Sequence, residues 1–506
     1  MNNSFSEEDV KKVAKGAGTN LIGSSIGKGL FFLSQIIIAR ILGVEVFGLY
    51  ALGFATVKMC EIFARLGLHK GGMRFVSIYK DDSPSKLKGV LVSAIGITLI
   101  NGILIGVILY LSSDWIAQNI FRKPVLSSYL QLFAYAIPFV ATMNVVSFLF
   151  QGFHTMKYTV YTREFIQPVT NIFLIAAFYY LGFLLEGVIY AFILSHLIAL
   201  IAGLLYFKKI FPQSFDKRTK PDFELRNIIS YSSPLLFVGF LEYFLSWTDT
   251  LMLGSLSTTR DVGIYRAASQ IPFLMTFFLV AISTIYAPIA ANLFHKREMQ
   301  RFANMLKTTT RWISYTVVPI FVFILFSARE IMMLFGKGYV ETGYIVIIIL
   351  SFGQLVNCIT GSVGYTLTMT GKQGVALIFS IVLLVINIVL DLLLIPKYGV
   401  LGAAIASSIS AASINLAKLG AVYKIYKFLP FSRELAKYLI PSIFSSLLIF
   451  SLNNVMGIQT GLAVKLIIVL VIFGSFYSFL IRKHNEDMFV IYKVKEKLLN
   501  LVSHHN

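Results

Sequence analysis

Three ionisable side chains fall within one apolar stretch of the sequence: Lys58, Glu61 and Arg65. Their i, i+3, i+7 spacing places all three on one stripe of a helix. An ionisable residue at membrane depth costs about 2.5–3.5 kcal/mol on insertion scales, so each is a functional candidate. Lysine and arginine donate hydrogen bonds to phosphate and carboxylate oxygens, so the stripe suits an anionic ligand such as a pyrophosphate or an acidic sugar.

A second interpretation of this stripe is structural. Glu61 follows Lys58 by three residues and precedes Arg65 by four, so it can neutralise either cation and brace a helix bundle. Arg65 also lies near the end of the apolar stretch, where a long basic side chain can snorkel to the membrane surface. The sequence does not distinguish a ligand-binding role of this stripe from a structural role.

Two further basic residues in apolar segments, Lys28 and Arg163, complete the candidate cationic site. Arg163 is followed by Glu164, and neighbouring residues on a helix point about 100° apart, so we do not expect these two side chains to face each other. Lys465, in the last apolar segment, is expected to snorkel to the surface.

Two carboxylates, Glu242 and Asp249, stand seven residues apart and are predicted on one face of a later helix. They either bind a coupling cation or proton, or pair with the basic residues in one conformational state, and the sequence decides neither. Asp391, four residues after Asn387, is expected to cap or pair locally near the outer surface. Uncharged polar residues in the apolar segments, such as Asn144, are expected to join helices rather than bind a ligand.

The composition indicates whether these residues lie in water or in a membrane. Of the 506 residues, 57% are AVILMFWYC and 13% are charged, whereas about 25% charged residues are usual in soluble domains. A soluble domain cannot bury so much apolar surface, so the chain is predicted to be an integral membrane protein. The net charge of +20 is attributed to basic residues facing an anionic inner leaflet, and nucleic acid is not an expected partner.

Apolar runs of about 20 residues predict an all-α bundle, because these runs are too long for barrel strands. There are fourteen such runs, at about 20–42, 46–67, 89–111, 127–150, 158–181, 186–206, 229–256, 262–291, 312–328, 341–369, 373–395, 399–423, 438–456 and 460–481. With the N-terminus inside, the inner segments hold thirty of the 44 basic residues. The outer loops hold only six: Arg122, Lys123, Arg260, Arg329, Lys337 and Lys397. Both termini are therefore predicted to be cytoplasmic.

Other classes of site find no support in the sequence. The two cysteines, Cys60 and Cys358, lie in apolar segments, so neither a disulfide framework nor a metal site is expected. No cleavable signal peptide is predicted at the N-terminus. The outer connection 112–126 contains a single acid, Asp114, and no phosphate-binding glycine loop or catalytic triad is apparent, so neither an enzyme nor a cofactor is expected.

The chain also resembles itself. Phe47-Gly48-Leu49-Tyr50 recurs as Val262-Gly263-Ile264-Tyr265, and Asn171-Ile172 recurs as Asn387-Ile388, at offsets of 215 and 216 residues. We predict two parallel six-helix halves, 1–210 and 211–430, followed by an appended helix pair and tail, 431–506. Such repeats typically hold a substrate site between the halves, which rock against each other to alternate access.

The stretches ARILGVEVFGLYALGFA (39–55) and LTMTGKQGVALIFSIVLLVINIVLDLLLIPKYGVLGAAIAS (367–407) resemble the polysaccharide flippase family of the multidrug/oligosaccharidyl-lipid/polysaccharide exporter superfamily. The resemblance implies a multi-pass cell-membrane transporter, Wzx-like, that flips an undecaprenyl- or dolichyl-(pyro)phosphate-linked oligosaccharide to the outer leaflet for polysaccharide or glycan biosynthesis. The implied partners are this lipid, the bilayer, and a polymerase or other assembly proteins. The alternatives are a MurJ-like lipid II flippase, a multidrug antiporter of the same superfamily and a membrane-embedded polysaccharide polymerase.

Overall fold

The computed structural model describes residues 7–212, 219–431, 437, 439–452 and 461–481, and every regular element in these ranges is helical. The first half of the chain contains α1 (Glu7–Arg65), α2 (Leu68–Tyr79), α3 (Pro84–Trp115), α4 (Leu126–Ala134), α5 (Ile137–Gly152), α6 (Met156–Thr159), α7 (Gln167–Tyr180) and α8 (Leu185–Ile210). Two π-helical turns, Ile116–Ile120 and Val160–Ile166, continue α3 and join α6 to α7.

The second half contains ten further α-helices within the described ranges. They are α9 (Leu225–Leu256), α10 (Thr259–Ser269), α11 (Phe273–His295), α12 (Met299–Met333), α13 (Val340–Ile359), α14 (Val363–Met369), α15 (Gln373–Tyr398), α16 (Val400–Tyr426), α17 (Leu439–Phe450) and α18 (Leu462–Ile481). A short 3-10 helix, Lys337–Tyr339, precedes α13.

Helix α1 contains the first two predicted spans, which meet at a break. Gly43 has φ 72° and ψ 176°, a conformation that a side chain would strain. A Cβ at this position would meet nothing within 4 Å, so the backbone conformation rather than space favours glycine. The break falls between the predicted spans 20–42 and 46–67.

Four other predicted spans are interrupted in the structure. The span 341–369 is divided between α13 and α14 at residues 360–362. The span 127–150 is a bent pair, in which α4 and α5 meet at 46° and Pro138 stands in the first turn of α5. The span 158–181 begins with the π-helical turn. The span 262–291 is divided between α10 and α11 just before Phe273, where Pro272 has no backbone N–H to continue a helix.

In the described part of the chain, nine helices are long and apolar enough to cross a membrane, and the bent pair makes up to ten. Two shorter apolar helices, Ile440–Phe450 and Leu462–Ser478, lie near the C-terminal end of the described residues. The all-α, multi-pass membrane architecture is thus confirmed. The number of fourteen spans and the cytoplasmic termini stay predictions.

The repeated glycines of the two halves meet each other. A Cβ built on Gly48 would collide with the carbonyl oxygen of Thr259 and lie 3.2 Å from the amide nitrogen of Gly263. A Cβ built on Gly263 would collide with the carbonyl of Val44 and lie 3.3 Å from the nitrogen of Gly48. Only glycine allows two backbones to approach so closely, so the repeated motif is a helix-crossing point.

Gly263→Ala is expected to destabilise the protein by about 1–3 kcal/mol, because the new methyl group must push two backbones apart. Gly96→Ala, in α3, is the matched control: its Cβ meets nothing within 4 Å, and we expect it to be neutral or slightly stabilising. The midpoint of thermal unfolding in detergent measures both variants. An unchanged midpoint for Gly263→Ala would contradict the close crossing.

The chain divides into two compact units. Unit 1 comprises 1–267, 335–339 and 384–403, and it includes α9. Its core contains a cluster in which α2, α3, α5 and α8 pack together, with Phe150 and Phe207 stacked at a ring separation of 4.3 Å. The predicted boundaries at 210 and 430 follow the repeat rather than these contacts and stay predictions.

Unit 2 comprises 268–334, 340–383 and 404–506, and α18 packs against α12 in it. Lys465 of α18 donates hydrogen bonds to the carbonyl of Phe326 at 2.8 Å and to Oε1 of Glu330 at 2.5 Å. Lys465 is only 4% exposed. The expectation that it snorkels was therefore wrong, because a carboxylate on the neighbouring helix neutralises it in place.

Candidate functional site

The predicted stripe on α1 forms a chain of ion pairs. Nζ of Lys58 lies 2.9 Å from Oε2 of Glu61, and Nε of Arg65 lies 3.5 Å from Oε1 of the same carboxylate. The Glu61 side chain is 3% exposed, whereas those of Lys58 and Arg65 are 28% and 16% exposed. One buried carboxylate therefore holds two cations, and Lys58 is the more accessible of the two.

A second helix completes the hydrogen bonding of this carboxylate. Asn144 of α5 donates a hydrogen bond from Nδ2 to Oε1 of Glu61. The ammonium of Lys58 lies 5.5 Å from the ring centroid of Phe54, one turn earlier on α1, which adds a cation–π contribution. Lys58 has three N–H donors and gives one to Glu61, so donors remain for a ligand.

The other two basic candidates lie where α1 meets the π-helical turn. Lys28 is exposed, and a Cβ on the preceding Gly27 would lie 3.0 Å from Cα of Glu164. Arg163 pairs with Glu164, with Nε 3.7 Å from Oε1. The expectation that Arg163 and Glu164 do not face each other was wrong: their two side chains reach each other within the wider π-helical turn.

Glu242 and Asp249 share α9 but have different partners. Oε1 of Glu242 lies 3.7 Å from Nζ of Lys70, and the Glu242 side chain is 67% exposed. Asp249 accepts hydrogen bonds from the hydroxyl of Tyr265 and, at 3.0 Å, from Nδ2 of Asn387. The two carboxylates therefore have different neighbours, although their seven-residue spacing is typical of a single helix face.

Asp391 joins the surroundings of Asp249. Its carboxyl interacts with that of Asp249, its residue is 0% exposed, and neither of its oxygens receives a hydrogen bond. The expectation of a local cap or pair was wrong, because Asp391 is buried and its carboxyl interacts with Asp249 of α9 instead. A proton or a cation stabilises two adjacent carboxylates of which one, that of Asp391, is buried without a hydrogen-bond donor.

No group of three or more His, Cys, Asp or Glu side chains that could hold a metal ion occurs in the described ranges. The Asp249–Asp391 pair, with Asn387 beside it, is therefore a two-carboxylate arrangement. Such a pair suits a shared proton or a weakly held monovalent cation better than a structural metal.

Comparison with known proteins assigns the chain to a family. The family model described as "Polysaccharide biosynthesis protein" matches residues 13–294, which is more than half of the sequence. The chain belongs to this family. A second model, MatE, matches residues 234–393. The resemblance drawn from residues 39–55 and 367–407 is thereby confirmed.

Individual relatives agree with the assignment. The chain is 28% identical over 195 residues to a Haloferax volcanii protein named "Probable low-salt glycan biosynthesis flippase Agl15", a match that covers 38% of this chain but only 41% of that protein. A Shigella flexneri protein whose name describes an O-antigen transporter is 22% identical over 404 residues, covering 78% of this chain and 94% of that one. The solved lipid II flippase MurJ, in an inward closed conformation, shares the fold, with a TM-score of 0.71, 14% identity, and coverage of 91% of this chain and 98% of that chain.

In this member of the family, reasoning from the sequence missed two contributors to the candidate sites. Asn144 and Asn387 are polar residues of apolar segments, predicted only to join helices, yet each donates to a candidate carboxylate. A polar or charged side chain within an apolar run was the available signal in each case, but its partner lies far away in sequence.

Proposed function

We propose that this protein flips a polyprenyl-(pyro)phosphate-linked oligosaccharide from the cytoplasmic to the outer leaflet by alternating access, and that it is not an enzyme. The observation that carries the proposal is the Lys58–Glu61–Arg65 stripe, a partly exposed cationic group inside a spanning helix. The family, and relatives named as a glycan flippase and an O-antigen transporter, support the same substrate class. A cationic site also disfavours the cation export expected of a multidrug antiporter.

The two cations of the stripe have different proposed roles. Lys58 is the substrate residue, because it is the more exposed and keeps donors for the phosphate oxygens of the lipid carrier. Arg65 mainly braces Glu61, since its Nε is buried and lies 3.5 Å from that carboxylate. Lys28 and Arg163 supply further positive charge where α1 meets the π-helical turn.

The energy for transport is proposed to enter at Asp249 and Asp391. Binding of a proton or monovalent cation would relieve the repulsion between these carboxylates and bias α9 and α15 towards one arrangement. The membrane potential also contributes, at about 2.3 kcal/mol per elementary charge per 100 mV for an anionic lipid that moves outward. The proposal assigns Glu242 no coupling role, because its contact is with Lys70.

We further propose fourteen spans in a cell membrane with both termini cytoplasmic, and a polymerase or other assembly protein as a partner. Cysteines in place of Asp82 and Gln118, both exposed, test the orientation. Only membrane-permeant thiol reagents should block the cysteine at Asp82, whereas an impermeant reagent should block the one at Gln118 in intact cells. Labelling of the cysteine at Asp82 by the impermeant reagent would reverse the proposed orientation.

Reconstituted vesicles test the function directly. A fluorescent undecaprenyl-diphosphate disaccharide should become accessible to an impermeant quencher faster in vesicles that contain the protein than in empty ones. Fluorescent lipid II and ethidium, assayed in the same way, represent the lipid II flippase and the multidrug antiporter. Movement of ethidium alone would overturn the proposal, and preference for lipid II would replace the oligosaccharide substrate.

A further inference from the structure

A cavity of about 450 Å³ lies at one end of unit 1, within the size range of small-ligand sites. Its walls come from the turn after α3, the end of α9 and the junction of α15 with α16, and they include Arg122, Ser255, Thr258 and Gly399. In the proposed orientation this is the outer end. Four of the six basic residues predicted on outer loops lie in or beside these segments: Arg122, Lys123, Arg260 and Lys397.

The two neighbours of Arg122 are fixed in place. Phe121 is 4% exposed and packs on Gly254, where a Cβ would lie 2.9 Å from the ring. Nζ of Lys123 donates to the carbonyl oxygens of Gly254 at 2.5 Å, Ser257 at 2.9 Å and Phe121 at 3.1 Å. Lys123 thereby uses two donors to cap the C-terminal end of α9 and the third to hold its own turn.

Arg122 lies between these two fixed residues, Phe121 and Lys123. Its φ of 53° is in the left-handed region, which costs free energy for a residue with a side chain. The side chain is exposed and lines the cavity, and among the described residues it forms no hydrogen bond or ion pair. A guanidinium with five unused donors, carried on a fixed turn, is pre-organised for an anion.

One carboxylate near the cavity is already hydrogen-bonded by a residue of the cavity wall. The nearby carboxylate of Asp261 accepts hydrogen bonds from Oγ of Ser257, and its backbone N–H is capped by Oγ1 of Thr258 at 3.1 Å. Among the described residues that line the cavity there are two cations, Arg122 and Lys123, and no carboxylate, so its walls carry net positive charge. Gly399, with φ 55°, lies close to the Asp261 carboxylate, since a Cβ there would lie 2.8 Å from Oδ2 of Asp261.

We infer that this cavity is a diphosphate-binding site, in which Arg122 takes the phosphate groups of a polyprenyl diphosphate at the outer side of the protein. The assignment of that ligand rests on the proposed flippase function. The site would receive the lipid carrier as it leaves the cationic stripe on α1, so that the headgroup passes from Lys58 to Arg122.

A cysteine in place of Leu256 reports whether the cavity is occupied, because Leu256 is 37% exposed and lines the cavity. In purified full-length protein with Cys60 and Cys358 replaced by alanine, the rate of labelling of this cysteine is measured with increasing inorganic pyrophosphate, farnesyl diphosphate or dihexanoyl phosphatidylglycerol. We expect both diphosphates to slow the labelling. Arg122→Gln should raise the half-protecting concentration at least about tenfold, because a hydrogen bond to a charged group is lost.

The matched control is Arg329→Gln, an exposed arginine of unit 2 that stacks 4.6 Å from the ring of Tyr344, and it should leave the protection unchanged. Protection by phosphatidylglycerol alone would overturn the assignment to a diphosphate. The absence of protection, or equal effects of both arginine variants, would overturn the site. The labelling assay requires no transport, so it tests the site independently of the function. If the protein does not flip the lipid but the diphosphates still protect the cysteine, the proposed function is refuted and the binding site is retained.

Discussion

Glu61→Ala is expected to lower sharply the amount of folded protein in the membrane. The substitution removes the carboxylate that lies between Lys58 and Arg65 and leaves Asn144 without its acceptor. Removing one partner of a buried ion pair costs about 3–5 kcal/mol, and the partial exposure of Lys58 places the expected loss near the lower end. Most native proteins are stable by only about 5–15 kcal/mol, so this loss is large. Quantitative immunoblotting of membranes and thermal unfolding in detergent measure it.

The double variant Lys58→Ala, Glu61→Ala separates a binding role from a bracing role. It leaves only Arg65 of the stripe, which is 16% exposed and near the end of α1, so protein levels should recover. Flipping should stay at least about tenfold below wild type if Lys58 contacts the diphosphate, because a charge-assisted hydrogen bond is lost. Full flipping by the double variant would remove Lys58 from the substrate site.

Unit 2 offers a matched control for this experiment. Lys465 and Glu330 form a comparable pair at 2.5 Å, with a lysine that is 4% exposed and no proposed contact with substrate. Glu330→Ala should lower protein levels, and the double change with Lys465→Ala should restore levels and flipping together. Both double variants lose an ion pair, so a difference in flipping between them reports the contact of Lys58 with the ligand.

Asp391→Asn is expected to have opposite effects on stability and on transport. The amide removes one of two adjacent negative charges and supplies an N–H donor to Asp249, so the unfolding temperature should hold or rise. A site that binds a proton or cation through this pair loses the binding when one charge is gone. Imposed proton or sodium gradients should therefore no longer accelerate flipping in vesicles that contain the variant.

The control for this variant is Glu242→Gln on the same helix. Glu242 is 67% exposed, and its 3.7 Å pair with Lys70 is of the kind worth about 0–1 kcal/mol, so stability and gradient response should match wild type. If Asp391→Asn responds to the gradients as wild type does, the membrane potential alone drives transport and the carboxyl pair has a structural role.

The sequence by itself determined the class of the protein and the residues worth testing. Long apolar runs require a bilayer, and charged side chains within such runs are costly enough to mark Lys58, Glu61, Arg65 and Asp249. Spacing along one helix predicted that Glu61 can neutralise either neighbouring cation, because residues three and four apart share a face whatever the rest of the chain does. The recurrence of Gly48 as Gly263 was likewise readable from residue types and an offset.

The tertiary structure decided what each of these residues meets. Glu61 receives its hydrogen bond from Asn144, 83 residues away, and Asp249 receives one from Asn387, 138 residues away. Helical spacing predicted a common face for Glu242 and Asp249, yet one pairs with Lys70 and the other lies beside the buried Asp391. Local periodicity fixes which side of a helix carries a residue, but the packing of distant helices fixes its partner, and so only the folded chain distinguishes a surface ion pair from a buried carboxyl pair.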